Sequence, residues 1–190
     1  MDLTILIPTR NRFEYLKKII NYYQNFNFKG KIFLIDSSNY STFQKTQNFL
    51  KKNNNRKVKH FRIKGRPFEC IKSINSKIKT KFVCFSGDDD YYIVSGLNKS
   101  IKILKKNKKI DAINGLSIAA KIKNHEKLSI KYLIYNNYYS TLTNPTQRVI
   151  KILKNYQVPL FSIFRTNLFK RVMTEIPDKS NRSSCPTRIF

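Results

Sequence analysis

Phe82-Val83-Cys84-Phe85-Ser86-Gly87-Asp88-Asp89-Asp90 is a short apolar run that ends, two residues later, in consecutive carboxylates. A buried strand that stops where acids begin puts those acids at the rim of the core. Side by side, carboxylates oppose one another's ionisation unless a cation or hydrogen-bond donors hold them. Hard oxygen donors that fill only part of a coordination sphere suit Mg²⁺ or Mn²⁺, which complete it with water and substrate phosphates. Two readings of the triplet stand at this point: a metal-diphosphate site, or an acidic turn helped by Gly87.

The pattern of an apolar run with a polar exit recurs upstream. Leu3-Thr4-Ile5-Leu6-Ile7 is closed by Pro8, and Ile32-Phe33-Leu34-Ile35 ends at Asp36. Both read as strands buried on both faces of a parallel sheet. Between them Phe13, Leu16, Ile19, Ile20 and Tyr23 recur at helical spacing with lysines interspersed, an amphipathic helix that Asn11 can cap. A second helix over about 41–52, a strand over about 58–63, a helix over about 67–78, the strand 82–86 and a helix over about 94–106 continue the alternation. Such a succession predicts right-handed crossovers and an α/β fold whose mainly parallel central sheet is covered on both faces. Beyond it, 111–121 reads as a strand, 136–144 as a loop, 145–154 as a helix opened by proline, and 160–164 as a strand. Thr166 is expected to cap a short helix to Met173, and the polar tail from Pro177 reads as disordered.

With 190 residues, 41% hydrophobic and 13% aromatic, the chain can bury a sizeable core and falls outside the disordered class. Lys+Arg 38 against Asp+Glu 11 gives a net charge of +27, a field that attracts nucleic acid, anionic lipid or a charged substrate. The lysines run through nearly every segment, which is a general compositional bias rather than one binding face. Residues 105–109 read as a solvated helix end whose cations complement the helix dipole. Most aromatics fall at buried positions and no nucleic-acid motif is present, so no nucleic-acid partner is expected. Cys70, Cys84 and Cys185 are too few and too widely spaced for a disulfide framework or a zinc motif, and Cys70 and Cys84 read as core residues in a reducing compartment. His60 and His125 stand isolated and support no metal site or triad. No window approaches the roughly 18 apolar residues that a membrane span needs. The expectation is a cytoplasmic protein, with peripheral contact at an anionic inner membrane face open to so basic a chain.

In an open α/β sheet, ligands bind beyond the carboxyl ends of the strands. That rule selects Pro8, Thr9, Arg10, Asn11 and Arg12 after the first strand, and Asp36, Ser37 and Ser38 after the second. After the third it selects Lys64, Gly65 and Arg66, and after the fourth Asp88, Asp89 and Asp90. Asp36 can accept from a base or ribose, and Arg10, Arg12 and Arg66 offer forked donors that match phosphate. Neither G-x-G-x-x-G nor G-x-x-x-x-G-K-[ST] occurs, which removes dinucleotide oxidoreductases and P-loop NTPases.

Leu-Thr-Ile-Leu-Ile-Pro-Thr-Arg-Asn-Arg (3–12), Ile-Asp-Ser-Ser (35–38) and Phe-Ser-Gly-Asp-Asp-Asp-Tyr (85–91) resemble a GT-A glycosyltransferase of the family-2 type. Asn144-Pro145-Thr146-Gln147-Arg148 and Pro159 to Arg165 resemble the middle of a bacterial subgroup with a Gly-Asp-Asp-Asp motif, and the likeness covers about 3–173. It implies one GT-A domain over 1–176, with a nucleotide-sugar half to 121 and an incomplete acceptor-side half from 122. It also implies a nucleotide-diphosphate sugar, a UDP-sugar favoured, with base and ribose near Thr9 and Asp36. Pro8, Arg10, Arg12, Ser38, Arg66 and Asp89 complete the donor site. A divalent metal on Asp88 and Asp90 would bridge the diphosphate, and transfer to a glycan or lipid-linked acceptor would invert the sugar. Arg66 and Arg165 would add charge stabilisation. The family carries its base well after the acidic strand, where this chain offers Glu175 and Asp178 before its tail. The chain thus reads as a short member, and an inactive nucleotide-sugar-binding relic is the alternative.

Overall fold

A computed structural model describes residues 1–53, 55–123, 127–133, 142–154 and 159–176. The loop expected over 136–144 mostly, the tail from Pro177, and with it Asp178, lie outside the described residues. The chain divides into two compact units, Met1–Ile113 with Ser162–Phe190, and Asn114–Phe161.

In the larger unit β1 is Leu3–Thr9, β2 Lys31–Asp36, β3 Val58–Arg62 and β4 Phe82–Phe85. The helices between them are α1 Phe13–Asn25, α2 Tyr40–Lys52 and α3 Pro67–Ser73, and α4 Val94–Lys106 follows β4. Two further strands complete the sheet, β5 Ala112–Ile113 and β8 Ile163–Arg165, and α6 Thr166–Glu175 follows the latter. The order across the sheet is β3-β2-β1-β4-β8-β5. β1 pairs in parallel with β2 and β4, and β2 with β3, whereas β8 runs antiparallel to β4 and β5.

The apolar runs form strands because both of their faces have helices to meet. Leu3, Ile5, Ile7, Ile32 and Leu34 point to one face and bury against Leu16, Ile19, Ile20 and Tyr23 of α1 and Leu97, Ile101 and Leu104 of α4. Leu6, Phe33, Ile35 and Val83 point to the other, against Cys70 and Ile71 of α3 and Phe169 and Met173 of α6. This is the three-layer α/β arrangement with a mainly parallel sheet that the alternation predicts. Cys70 and Cys84 are buried free thiols, as core residues should be.

The smaller unit holds an antiparallel pair, β6 Ser117–Lys123 and β7 Lys127–Leu133, and the helix α5 Pro145–Lys154. The strand expected over 111–121 is therefore two, β5 in the main sheet and β6 in the hairpin, separated by Asn114, Gly115 and Leu116. The strand expected over 160–164 begins later, because Pro159–Phe161 forms a 3₁₀ turn first. The helix expected over 67–78 likewise ends at Ser73, with a 3₁₀ turn over Asn75–Lys77.

Two expected caps move. Asn11 has φ +56 and its Oδ1 accepts from Asn39 N at 2.9 Å, so it serves the entrance of α2 while Arg12 holds the N-cap position of α1. Thr166 is the first residue of α6, with Arg165 at the cap position, and its backbone N–H donates to Lys81 O.

Arg165 also corrects an expected role. β8 pairs Arg165 with Phe82 at the start of β4, the end of the sheet opposite the acidic triplet. Its guanidinium donates to Leu104 O at 2.6 Å in the last turn of α4, and to Asn107 O at 3.0 Å and Ile110 O at 2.9 Å in the turn that follows. Arg165 is a structural clasp between α4 and β8, not a residue of the site. Arg165→Ala should lower unfolding stability by about 2 kcal/mol in urea titrations, because it strands several carbonyls at once.

Candidate functional site

The four parallel strands all end on one side, and a cleft of about 820 Å³ opens there. Its walls come from the ends of four strands: Pro8 to Arg12 at β1, Ile35 and Ser37 to Asn39 at β2, Lys64 to Pro67 with Glu69 and Cys70 after β3, and Gly87, Asp88 and Asp89 after β4. Of the residues expected to bind a donor, Pro8, Thr9, Arg10, Arg12, Ser38, Arg66, Asp88 and Asp89 line it.

Asp88 is the centre of the polar contacts. It is only 4% exposed; its Oδ2 accepts from Thr9 Oγ1 at 2.7 Å and its Oδ1 meets Arg12 NH1 at 2.9 Å. Arg12 NH2 donates to Asp89 Oδ2 at 2.8 Å, and the guanidinium lies over the Tyr15 ring at 4.0 Å. Burial pushes the Asp88 carboxyl above its ordinary value, against the pull of Thr9 and Arg12. Burial, then the neighbouring Asp89, pushes Asp90 up as well. The exit from the triplet is pinned by tyrosines: Tyr92 OH donates to Phe85 O at 2.6 Å, and Tyr92 N to Tyr23 OH at 3.2 Å.

Gly87 is needed for close approach. A Cβ there would sit 2.5 Å from Asp90 Oδ2 and 3.1 Å from Asp89 Oδ1, so a side chain at 87 would push these carboxylates outward from where they fold back toward the backbone. The hard carboxylate oxygens fit a divalent cation as part of a sphere, at a position where the Arg12 guanidinium now meets Asp88 and Asp89. Among the described residues no group of three or more His, Cys, Asp or Glu encloses a metal, so water and substrate oxygens would have to supply the remaining ligands.

Asp36 is placed differently from expectation. It is 0% exposed and does not line the cleft; Oδ1 accepts from Ser38 N at 2.8 Å and Oδ2 meets His60 Nε2 at 2.8 Å. Burial opposes its ionisation, but the bonds from His60 and Ser38 outweigh that and hold its carboxyl below the ordinary value. Both oxygens are spent on the protein, so Asp36 shapes the wall from behind. Ser38 Oγ in turn accepts from Asn11 N at 2.7 Å, and Ser37 N donates to Thr9 O at 3.0 Å, which stitches the β2 loop to the β1 loop.

His60, set aside on sequence, is thus part of the support. Its ring is 4.3 Å from that of Phe43. The register pairs Leu34 with His60 and Asp36 with Arg62, so His60 reaches Asp36 diagonally on one sheet face. Only the strand register could have revealed this, because the residues lie 24 apart in sequence. Asn39, Glu69 and Tyr15 were also unforeseen. Glu69 Oε2 accepts from Arg66 N at 3.0 Å, fixing the start of α3 beside the cleft. Glu175 ends α6 and does not line the cleft.

No protein-family model and no curated protein matches the chain. Solved structures do match. A crystal structure of S. aureus TarS, residues 1–349, superposes with TM-score 0.62 and 17% identity over 94% of this chain and 51% of that one. A second S. aureus TarS structure gives 0.58 and 18% over 90% and 29%. The mannosyltransferase PcManGT from Pyrobaculum calidifontis, in complex with GDP-Man and Mn²⁺, gives 0.59 and 10% over 90% and 46%. The fold is shared with a glycosyltransferase. The chain spans about half, or less, of the length of these solved proteins, and at such identities the likeness concerns the fold.

Two stability predictions follow from the charges. The folded state holds a proton on Asp90 more tightly than the unfolded chain does, so the ionised group costs stability at neutral pH. Asp90→Asn should therefore raise the melting temperature at pH 7, by about 2 °C. Asp36 has the opposite sign: its contribution is present above the unfolded value near pH 4 and is lost as pH falls through its lower folded value. Asp36→Asn should destabilise at pH 7 and flatten the acid limb of a melting-temperature profile.

Proposed function

We propose that the cleft binds a nucleoside-diphosphate sugar and that the chain is the donor-binding part of a glycosyltransferase of the GT-A, family-2 type. The observation that carries the reading is the Thr9, Asp88 and Arg12 constellation beside Ser37 and Ser38, where carboxylates, a forked cation and small hydroxyls converge. Arg10, Lys64 and Arg66 on the cleft wall supply positive charge for a diphosphate. Ser37, Ser38 and Asn39 face the ribose and base, with Asp36 and His60 bracing them. A UDP-sugar is favoured; the mannosyltransferase that shares the fold holds GDP-Man and Mn²⁺.

Asp88 and Asp90 would hold a divalent metal, which when bound neutralises the departing diphosphate as a Lewis acid. The protein residues hold the donor in place so that an acceptor hydroxyl, on a glycan or lipid-linked chain, meets the anomeric carbon from the opposite side and inverts it. Glu175 is proposed to take the hydroxyl proton, with Asp178 as the second candidate. α6 supports that choice because it runs antiparallel to α3: Asn75 donates to Lys170 O and Lys72 to Ile176 O, so α6 carries the chain back toward the side where α3 begins. No helix among the described residues is long and apolar enough to cross a membrane, and contact with an anionic membrane face remains part of the proposal for a chain of +27.

Calorimetric titration with UDP and GDP, in Mn²⁺ and in EDTA, tests the reading. One nucleotide should bind in Mn²⁺ at least about tenfold more tightly than in EDTA, a difference of about 1.4 kcal/mol. The Asp88→Ala, Asp90→Ala double variant should lose that difference. Failure of wild type to bind either nucleotide under both conditions would sink the proposal.

A further inference from the structure

The acidic triplet already carries a cation. Arg12 reaches across from the end of the β1 loop to Asp88 at 2.9 Å and Asp89 at 2.8 Å, with Tyr15 behind it. The backbone beneath it is fixed: Asn11 sits at φ +56, its N–H held by Ser38 Oγ and its side chain by Asn39 N. The side chain is not. It is 39% exposed, so it can leave without opening the core. Asp88 has its Oδ2 committed to Thr9, which leaves Oδ1, the oxygen that Arg12 occupies, as its ready ligand for an incoming ion.

A guanidinium and a divalent ion on one carboxylate repel each other strongly at a few ångströms. Metal binding alone must therefore displace Arg12, and a freed Arg12 stands beside a cleft with no anion to receive it. A diphosphate changes this balance, because its oxygens match the guanidinium fork at least as well as the carboxylates do. We infer that Arg12 is an exchangeable counter-cation: it competes with the divalent metal for Asp88 and, once displaced, passes to the donor's diphosphate. Metal and nucleotide then bind with positive coupling, each favouring the state in which Arg12 has moved. This rests on the donor-site reading and adds a coupling to it: the triplet binds metal more weakly until the nucleotide draws Arg12 away.

The test measures Mn²⁺ affinity with no nucleotide, from the resonance of the free aquo ion, for wild type, Arg12→Gln and Tyr15→Leu. Removing the guanidinium should tighten Mn²⁺ binding by about three- to tenfold, and removing its ring support should tighten it less. UDP or GDP titrations in Mn²⁺ and in EDTA then read the coupling. It should be large in wild type and several-fold smaller in Arg12→Gln, with nucleotide binding in Mn²⁺ weakened. Unchanged or weaker Mn²⁺ binding in both variants would overturn the inference, as would coupling that loss of Arg12 leaves undiminished. If neither nucleotide binds wild type, the donor-site reading fails, while the Mn²⁺ comparison still decides whether Arg12 competes for the triplet. Circular dichroism of each variant confirms a folded sample, and Tyr15→Leu, which leaves the hydrogen bonds of Asn11 to Ser38 and Asn39 in place, keeps the test available if Arg12→Gln fails to fold.

Discussion

The hydrogen bond from Thr9 to Asp88 joins residues 79 positions apart, and it exists only because β1 is central. β1 takes β2 on one side and β4 on the other, so the chain reverses its direction of travel across the sheet between the first and fourth strands. α1 and α4, which leave β1 and β4, cover one face of the sheet while α3, which leads into β4, covers the other, and the crevice lies beyond the carboxyl ends of these strands. Thr9 stands at that opening on one strand and Asp88 beyond the other. Their contact closes the floor of the crevice, and the remaining loops rise around it.

A floor built of carboxylates is costly to hold, and the surrounding structure shows how the cost is met. Asp36 gains enough from His60 and Ser38 to stay ionised when wholly buried, and it returns the gain by fixing the loop that carries Ser38. Asp88 and Asp90 gain less and titrate upward. The two kinds of carboxylate thus divide the work. One is satisfied internally and acts as a strut. The others are left under-neutralised at and just beyond the cleft edge, where an added cation does the most to relieve them.

The fold was legible where burial is two-sided. Runs such as 3–7 and 32–35 have no other stable home than the middle of a covered sheet, and the spacing of Leu16, Ile19, Ile20 and Tyr23 fixes the helix that covers it. What escaped depended on partners far away in sequence. Residues 163–165 give three positions, too few for a period, and their antiparallel entry between β4 and β5 is set by the sheet edge rather than by local pattern. Arg165 looked like a site cation because its charge was visible and the carbonyls it satisfies in and after the last turn of α4 were not. His60 looked idle for the same reason. The strand-end rule found most of the cleft wall because it needs only the order of strands, but it could not say that Asp36 faces inward, since the residue that ends a strand can turn either to the ligand or to its neighbour.

Charge distribution gives the remaining constraint. The chain has 11 acidic residues against 38 basic ones, and three of the 11, Glu69, Asp88 and Asp89, line one cleft, with Asp36 behind its wall and Asp90 next in the chain. At long range an anion approaching the protein meets the field of +27, which draws it in and which salt screens within about 8 Å at physiological strength. At contact it meets the triplet, where an unaccompanied anion is repelled. A purely basic cleft would admit any phosphate, whereas on the proposed reading this one would favour anions that arrive with a cation or draw Arg12 away from the carboxylates. If the cleft takes the proposed donor, short-range negative charge inside a long-range positive field would act as a selectivity device, favouring a diphosphate with its counter-ion over the single phosphates that the same field would attract.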